Sequence, residues 1–233
     1  MASLTYLRRR GQLEEYFDRT AAEAWKRLTS DAPVGRIRAT VRAGREQMRN
    51  TLLGWLPEDL HGKRLLDAGC GTGALAVEAA RRGAHVVAVD LSPTLTTLAR
   101  ERTPRDFNAG KLEFRVGDML DPSLGRFDHI VAMDSLIHYR AGDTVRALAG
   151  LAARTDASLL FTFAPSTPLL AAMHAVGRLF PRGSRAPAIE PIGADTLQRL
   201  LRVEAGLQAW RSARSVRIAS GFYTSQAMEL VRA

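Results

Sequence analysis

Residues 65–80 read LLDAGCGTGALAVEAA. The apolar pair Leu65-Leu66 leads into an acid, Asp67. Gly69, Gly71 and Gly73 follow, alternating with the small residues Cys70 and Thr72. A helix-like pattern then starts at Ala74. Glycine has no Cβ, so such a loop turns tightly and brings backbone close to a ligand. In an open α/β sheet, ligands bind outside the carboxyl ends of the strands, and a loop after the first strand lies there.

Outward from this loop, strand and helix patterns alternate. Strands are predicted at 64–68, 84–90, 111–118, 127–134 and 157–164, with helices at 74–82, 93–102 and 143–153 between them. Pro93 stands near the start of its helix, where proline is tolerated. Another helix is predicted at 195–203, and two closing strands at 207–218 and 220–231, joined near Ser220-Gly221. The alternation predicts an α/β, Rossmann-like fold with a seven-stranded, mostly parallel sheet.

The first sixty residues read as helical. Leu13, Tyr16, Phe17, Ala21, Ala24, Trp25 and Leu28 recur at spacings of three and four, as one apolar stripe. A second stripe follows Pro33: Ile37, Val41, Met48, Leu52 and Trp55. Beside it run Arg38, Arg42, Arg45 and Arg49, read as a solvated basic face or as a contact for an anion. The predicted organisation is a helical cap over 1–60 and a ligand-binding domain over 61–233. Within the latter, 165–192 forms an insertion whose Leu169, Leu170, Met173, Val176 and Phe180 could make one helical face over the substrate side.

The chain has 233 residues, enough for one α/β domain with a modest addition. The single cysteine, Cys70, rules out an intramolecular disulfide and fits a reducing cytosol. Net charge is +9, and lysine occurs only at Lys26, Lys63 and Lys111. So much arginine has two readings: GC-rich codon usage, or an anionic partner. No basic cluster is interleaved with aromatics, so nucleic acid is the weakest partner. No apolar run is long enough to cross a bilayer, and the N-terminus lacks a secretory apolar region. The expectation is a cytoplasmic protein, at most peripheral to a membrane.

The glycine loop alone is ambiguous, because Gly69, Gly71 and Ala74 also satisfy a relaxed dinucleotide fingerprint. Its neighbours shift the balance. Asp67 is placed to address a cationic amino group. Asp90, ending the second strand, suits a ribose diol, whether of a dinucleotide or of S-adenosyl-L-methionine (SAM). Asp118, ending the third, can accept from an adenine amino group, and Met119 can pack on the ring. Strand-end capping is the plain alternative for all three acids.

The segments D-A-G-C-G-T-G (67–73), V-D-L-S (89–92) and G-D-M-L (117–120) together resemble the class I SAM-dependent methyltransferases. The resemblance implies a SAM site made by Asp67, Gly69, Cys70, Gly71, Gly73, Asp90, Leu91, Asp118, Met119 and Asp134. The co-product would be S-adenosyl-L-homocysteine.

Three further stretches lie outside that core. YFDRTAAEAWKRL (16–28), MDSLIHY (133–139) and SGFYTSQAMELVRA (220–233) resemble the magnesium-protoporphyrin IX methyltransferase family of bacteriochlorophyll synthesis. This implies esterification of a propionate of magnesium protoporphyrin IX. It also implies His138 and Tyr16 as activity residues, a magnesium chelatase subunit as pathway partner, and peripheral membrane contact. A propionate is already ionised at neutral pH, so alignment and desolvation matter more than a base.

By residue pattern alone, Tyr16 reads as core and His138 is evenly balanced. Cys70 reads as a space-filler under the ligand. No His/Cys spacing suggests a protein-bound metal. Two other functions stay open: methylation of another small acceptor, such as a phenol of a quinone precursor, and non-catalytic binding of SAM or porphyrin.

Overall fold

The computed structural model describes residues 3–20, 29, 35–104, 106–107, 109–166 and 188–233. Ala21, Ala24, Trp25 and Leu28 of the first stripe lie outside the described residues, as does most of the predicted insertion, 167–187.

Seven strands make one sheet. They are β1 (Arg64–Ala68), β2 (His85–Asp90), β3 (Lys111–Val116), β4 (Phe127–Ala132), β5 (Thr155–Phe163), β6 (Trp210–Ser220) and β7 (Tyr223–Arg232), in the order β3-β2-β1-β4-β5-β7-β6. Every pairing from β3 to β5 is parallel, and β7 runs antiparallel to both β5 and β6. The strand order reverses between β1 and β4, which opens a crevice at their carboxyl ends.

Helices cover both faces, so β1 is apolar on each side. Leu66 and Ala68 face one core, with Val145, Leu148 and Leu151 of α5 (Ala141–Ala152) and Leu197 and Leu201 of α6 (Ala194–Val203). Leu65 faces the other, with Met48, Leu52 and Leu53 of α2 (Arg36–Trp55) and Leu75, Ala76, Ala79 and Ala80 of α3 (Ala74–Arg81). Helix α4 (Pro93–Arg102) starts where Pro93 predicts, and the Ser92 hydroxyl accepts from the Leu95 N–H to cap it.

The N-terminal region begins with α1 (Leu4–Glu15) and continues as a single π-helical turn, Tyr16–Thr20. Tyr6 and Leu13 of α1 are buried in the first core.

Several expectations need correction. Strands β3 and β4 end two residues before Asp118 and Asp134, because the backbone turns left-handed at Gly117 and Asp134. Ile37 is 58% exposed, since it lies in the first turn of α2, before Thr40 and Val41 where the helix first packs against the β6–β7 turn and the core. A Cβ on Gly44 would come within 2.5 Å of the Tyr223 ring, so glycine lets α2 close onto β7. The arginine row on α2 does not share one solvated face. Arg45 turns inward to a carboxylate, and Arg49 is half-buried beside Glu46.

Candidate active site

Gly69, Gly71 and Gly73 all have positive φ. A Cβ at Gly69 would lie 2.3 Å from the Ser135 Cβ, and one at Gly73 would lie 2.8 Å from the Phe114 ring. At these two positions the loop lies so close to its neighbours that only glycine fits. Its first amides are spoken for: Gly69 and Cys70 donate to the Val89 carbonyl at 2.8 and 3.0 Å. Gly71 donates to Asp90 Oδ2 at 2.8 Å, and Ser92 to Asp90 Oδ1 at 2.9 Å. Asp90 thus fixes the loop and the start of α4 at once. Burial raises its pKa, against the pull of backbone N–H groups of Ser92, Gly71 and Leu91.

Asp67 is buried, and its Oδ2 has no hydrogen-bond partner among the described residues. Burial, then the neighbouring Asp90 charge, pushes its pKa up to about 7, although the Ala76 N–H pulls it down. A buried carboxylate oxygen with spare accepting capacity fits a cationic amino group. Cys70 sits between these acids. Burial, Asp67 and Asp90 raise its thiol pKa well above normal, so the thiol stays protonated and is a poor nucleophile.

Asp118 is gripped by α1. The Tyr6 hydroxyl donates to Oδ1 at 2.8 Å, the Leu120 N–H to Oδ1 at 2.9 Å, and the Arg10 guanidinium to Oδ2 at 2.9 Å. Tyr6 also stacks on Tyr139 at 4.7 Å between centroids. Arg9 pairs with Glu190 at 2.7 Å, and Ser3 and Thr5 donate to Asp143. Met119 and Leu91 belong to the same apolar cluster as Tyr6. The helix thus lies across the crevice, held by acids from three separate segments.

After β4 the chain reverses at Asp134 and forms a short 3₁₀ turn, Leu136–His138. Asp134 accepts from Arg45, Tyr223, Ser225 and Thr162. Ser135 faces Gly69, and its hydroxyl is buried with no hydrogen-bond partner among the described residues. His138 is buried. Phe17, not Tyr16, meets it edge-on at 5.9 Å between centroids, and Tyr16 sits against Phe17 at 5.2 Å. Asp18 accepts from the Ser92 hydroxyl and the Thr94 N–H at 3.2 and 3.1 Å, which ties the π turn to the start of α4.

The structure therefore gathers Asp67, the glycine loop, Asp90, Asp118 and the His138 turn around the carboxyl ends of β1 to β4. Sequence reasoning did not single out Tyr6, Arg10, Asp18 or Tyr223, and it read Phe17 only as part of the apolar stripe. Tyr6 and Arg10 are four apart on one helix, and that spacing is the only local hint that they act together. Among the described residues, no group of three or more His, Cys, Asp or Glu side chains could hold a metal ion. No helix among them is long and apolar enough to cross a membrane.

Comparison with known proteins bears on the acceptor. The family described as "Magnesium-protoporphyrin IX methyltransferase C-terminus" matches residues 132–232, and a general methyltransferase domain matches 65–156. The magnesium-protoporphyrin O-methyltransferase of Rhodobacter capsulatus is 49% identical over 96% of this chain and 97% of its own. The chloroplastic magnesium protoporphyrin IX methyltransferase of Arabidopsis thaliana is 31% identical over 94% of this chain and 70% of its own. The crystal structure of magnesium protoporphyrin IX methyltransferase from Synechocystis PCC 6803, with bound S-adenosyl-L-homocysteine, superposes with a TM-score of 0.83. It is 27% identical and covers 96% of this chain and 99% of that one.

Proposed function

Since this chain belongs to the magnesium-protoporphyrin O-methyltransferase family, we propose that it methylates a propionate carboxylate of magnesium protoporphyrin IX with SAM in bacteriochlorophyll synthesis. The products are the monomethyl ester and S-adenosyl-L-homocysteine. The observation that carries this reading is the contact of Ser135 with Gly69, which bolts the His138 turn onto the glycine loop. In this reading His138 is the acceptor-side group, and the contact keeps its turn against the co-substrate loop.

SAM, when bound, supplies a methyl group on a sulfonium, and an attacking carboxylate takes that methyl as the carbon–sulfur bond breaks. The residues fit this ligand. The unpartnered Asp67 Oδ2 suits its ammonium, Met119 and Leu91 can line its adenine, and the lone pairs that Asp90 and Asp118 keep beside their protein donors suit its ribose and its adenine amino group. Gly69, Cys70, Gly71 and Gly73 let the backbone approach. His138 orients the reacting carboxylate by donating a hydrogen bond. Phe17, at its edge, and the π turn holding Tyr16 exclude water from that oxygen.

Attack of an anion on a cation cancels both charges. A dry, low-dielectric pocket therefore favours the transition state over the separated ions. No proton has to be removed, which is why a site without a strong base suffices.

The assay that tests this mixes purified protein, SAM and magnesium protoporphyrin IX and separates the pigments with mass detection. A new species heavier by one methyl group is expected, with a rate flat across alkaline pH. Absence of that species while SAM still binds overturns the acceptor, and a rate climbing towards a phenol's pKa of about 10 points to a phenolic one.

Asp67 adds a pH signature. In the free protein its carboxyl is protonated below pH about 7 and ionised above it. Facing an ammonium favours the ionised form, so binding SAM at pH 6 expels a proton. SAM affinity is therefore expected to rise by about tenfold in all between pH 6 and pH 8, most of it below pH 7. Titration calorimetry checks this, and Asp67→Asn is expected to flatten the slope. An equal slope in the variant would remove Asp67 from the ammonium site.

The reading extends to partners and place. The substrate arrives already carrying magnesium, so a metal-inserting enzyme, a magnesium chelatase, must precede this step and one of its subunits is the natural donor. We also infer a cytoplasmic protein in reversible contact with an anionic membrane surface. Exposed Ile37 and Phe222 (58% and 59%), with exposed Arg36 and Arg38 beside Ile37, support that contact. The N-terminal 60 residues act as a cap and 165–192 as a substrate-side lid in the same reading.

A further inference from the structure

We propose that Asp134 is a positioning residue for His138, held in place by Arg45 from α2 and by Tyr223 and Ser225 from β7. It does not act as a contact for the co-substrate in this assignment. The inference rests on the reading of His138 given above.

Asp134 sits at φ +53, a backbone conformation that residues other than glycine rarely adopt. Such a conformation persists only where the surroundings over-determine it. Here they do. The Asp134 N–H donates to the Thr162 hydroxyl at 2.7 Å, and that hydroxyl donates back to Oδ1 at 3.1 Å. Ser225 donates to Oδ1 at 3.1 Å. The Tyr223 hydroxyl lies 3.1 Å from Oδ2, and Arg45 Nη1 donates to Oδ2 at 2.7 Å. Only 5% of the Asp134 side chain is exposed.

Both carboxylate oxygens thus point at protein donors from α2, β5 and β7. What they hold is the reversal after β4. The next residue, Ser135, is wedged against Gly69, and the 3₁₀ turn that follows ends in His138. A small rotation at Asp134 is carried directly into the offset between His138 and the glycine loop.

Asp134→Asn separates the network from the backbone, because asparagine also tolerates this conformation but lacks the charge. Turnover is expected to fall between about 10- and 100-fold, the scale of a misplaced catalytic group. SAM affinity by calorimetry is expected to stay within about twofold, less than half a kcal/mol. In a His138→Ala background, Asp134→Asn is expected to cost less than about twofold more, since residues acting through one another are not additive.

Losses that multiply in the double variant would overturn the proposal while leaving the His138 reading intact. SAM affinity falling in step with turnover would overturn it too, by making Asp134 a co-substrate contact. Wild-type turnover in His138→Ala alone would fell the His138 reading, and this one with it. Should Asp134→Asn fail to fold, Arg45→Met and Arg45→Lys carry the same test. Arg45 is 22% exposed and its stem can be replaced. Lysine restoring turnover that methionine loses supports the charge link, and equal loss in both refutes it.

Discussion

Gly69→Ala is expected to lower SAM affinity by at least about 100-fold, the cost of about 2.7 kcal/mol. Two effects add. An alanine at φ +85 occupies the left-handed region at a cost of about 1–2 kcal/mol. Its Cβ would also lie 2.3 Å from the Ser135 Cβ. Such a contact is relieved only if one side moves. Ser135 cannot give easily, because the preceding Asp134 is tied to three elements. The glycine loop must then yield, and with it the backbone that meets the ligand. Calorimetric titration with SAM, with circular dichroism to check folding, measures the effect. Near-normal affinity in a folded variant would mean that the loop and the His138 turn are not rigidly coupled.

His138→Ala is expected to reduce turnover by about 10²–10³, the range for losing one oriented hydrogen-bond donor to a reacting oxygen. SAM affinity should change little. The imidazole is buried beside Phe17 and ends the turn that starts at Asp134, so its removal leaves the glycine loop in place. Steady-state rates with magnesium protoporphyrin IX, paired with SAM calorimetry, separate the two quantities. Wild-type turnover would make His138 a packing residue. An equal loss of affinity and rate would place it on the co-substrate side.

Much of this architecture was legible because its causes are local. Parallel strands buried on both faces must be nearly continuous apolar runs, and Leu65-Leu66, Val86–Val89 and Ile130–Ala132 are. Ser92-Pro93 announces a helix start through one hydroxyl and one fixed φ. Asp67 and Asp90 were found for the same reason, since each ends an apolar run, whereas Asp118 follows the alternating strand KLEFRV.

The misses have a different cause. Tyr6 reaches Asp118 across 112 positions, and Tyr223 reaches Asp134 across 89. No local pattern encodes such pairs. The contact of Phe17 with His138 is another such pair: Tyr16 and Phe17 both lie on the apolar stripe, and no local pattern says which of them meets the histidine. Asp134 was read from the resemblance as a SAM contact, whereas its three-element anchorage depends on how α2, β5 and β7 pack together.

The position of β7 also dictates an order of events during synthesis. This strand lies inside the sheet, between β5 and β6, yet it follows every other strand in the chain. While the ribosome is still making it, the outer edge of β5, Ser158–Phe163, has no strand to pair with. That edge carries Leu159, Leu160, Phe161 and Phe163, an apolar template for unwanted strand pairing. Tyr223 and Ser225, which brace Asp134, arrive with the same strand. Until the hairpin docks, the nascent polypeptide exposes this edge and lacks two of the side chains that hold Asp134. Covering of the β5 edge and completion of the Asp134 anchorage are a single late event.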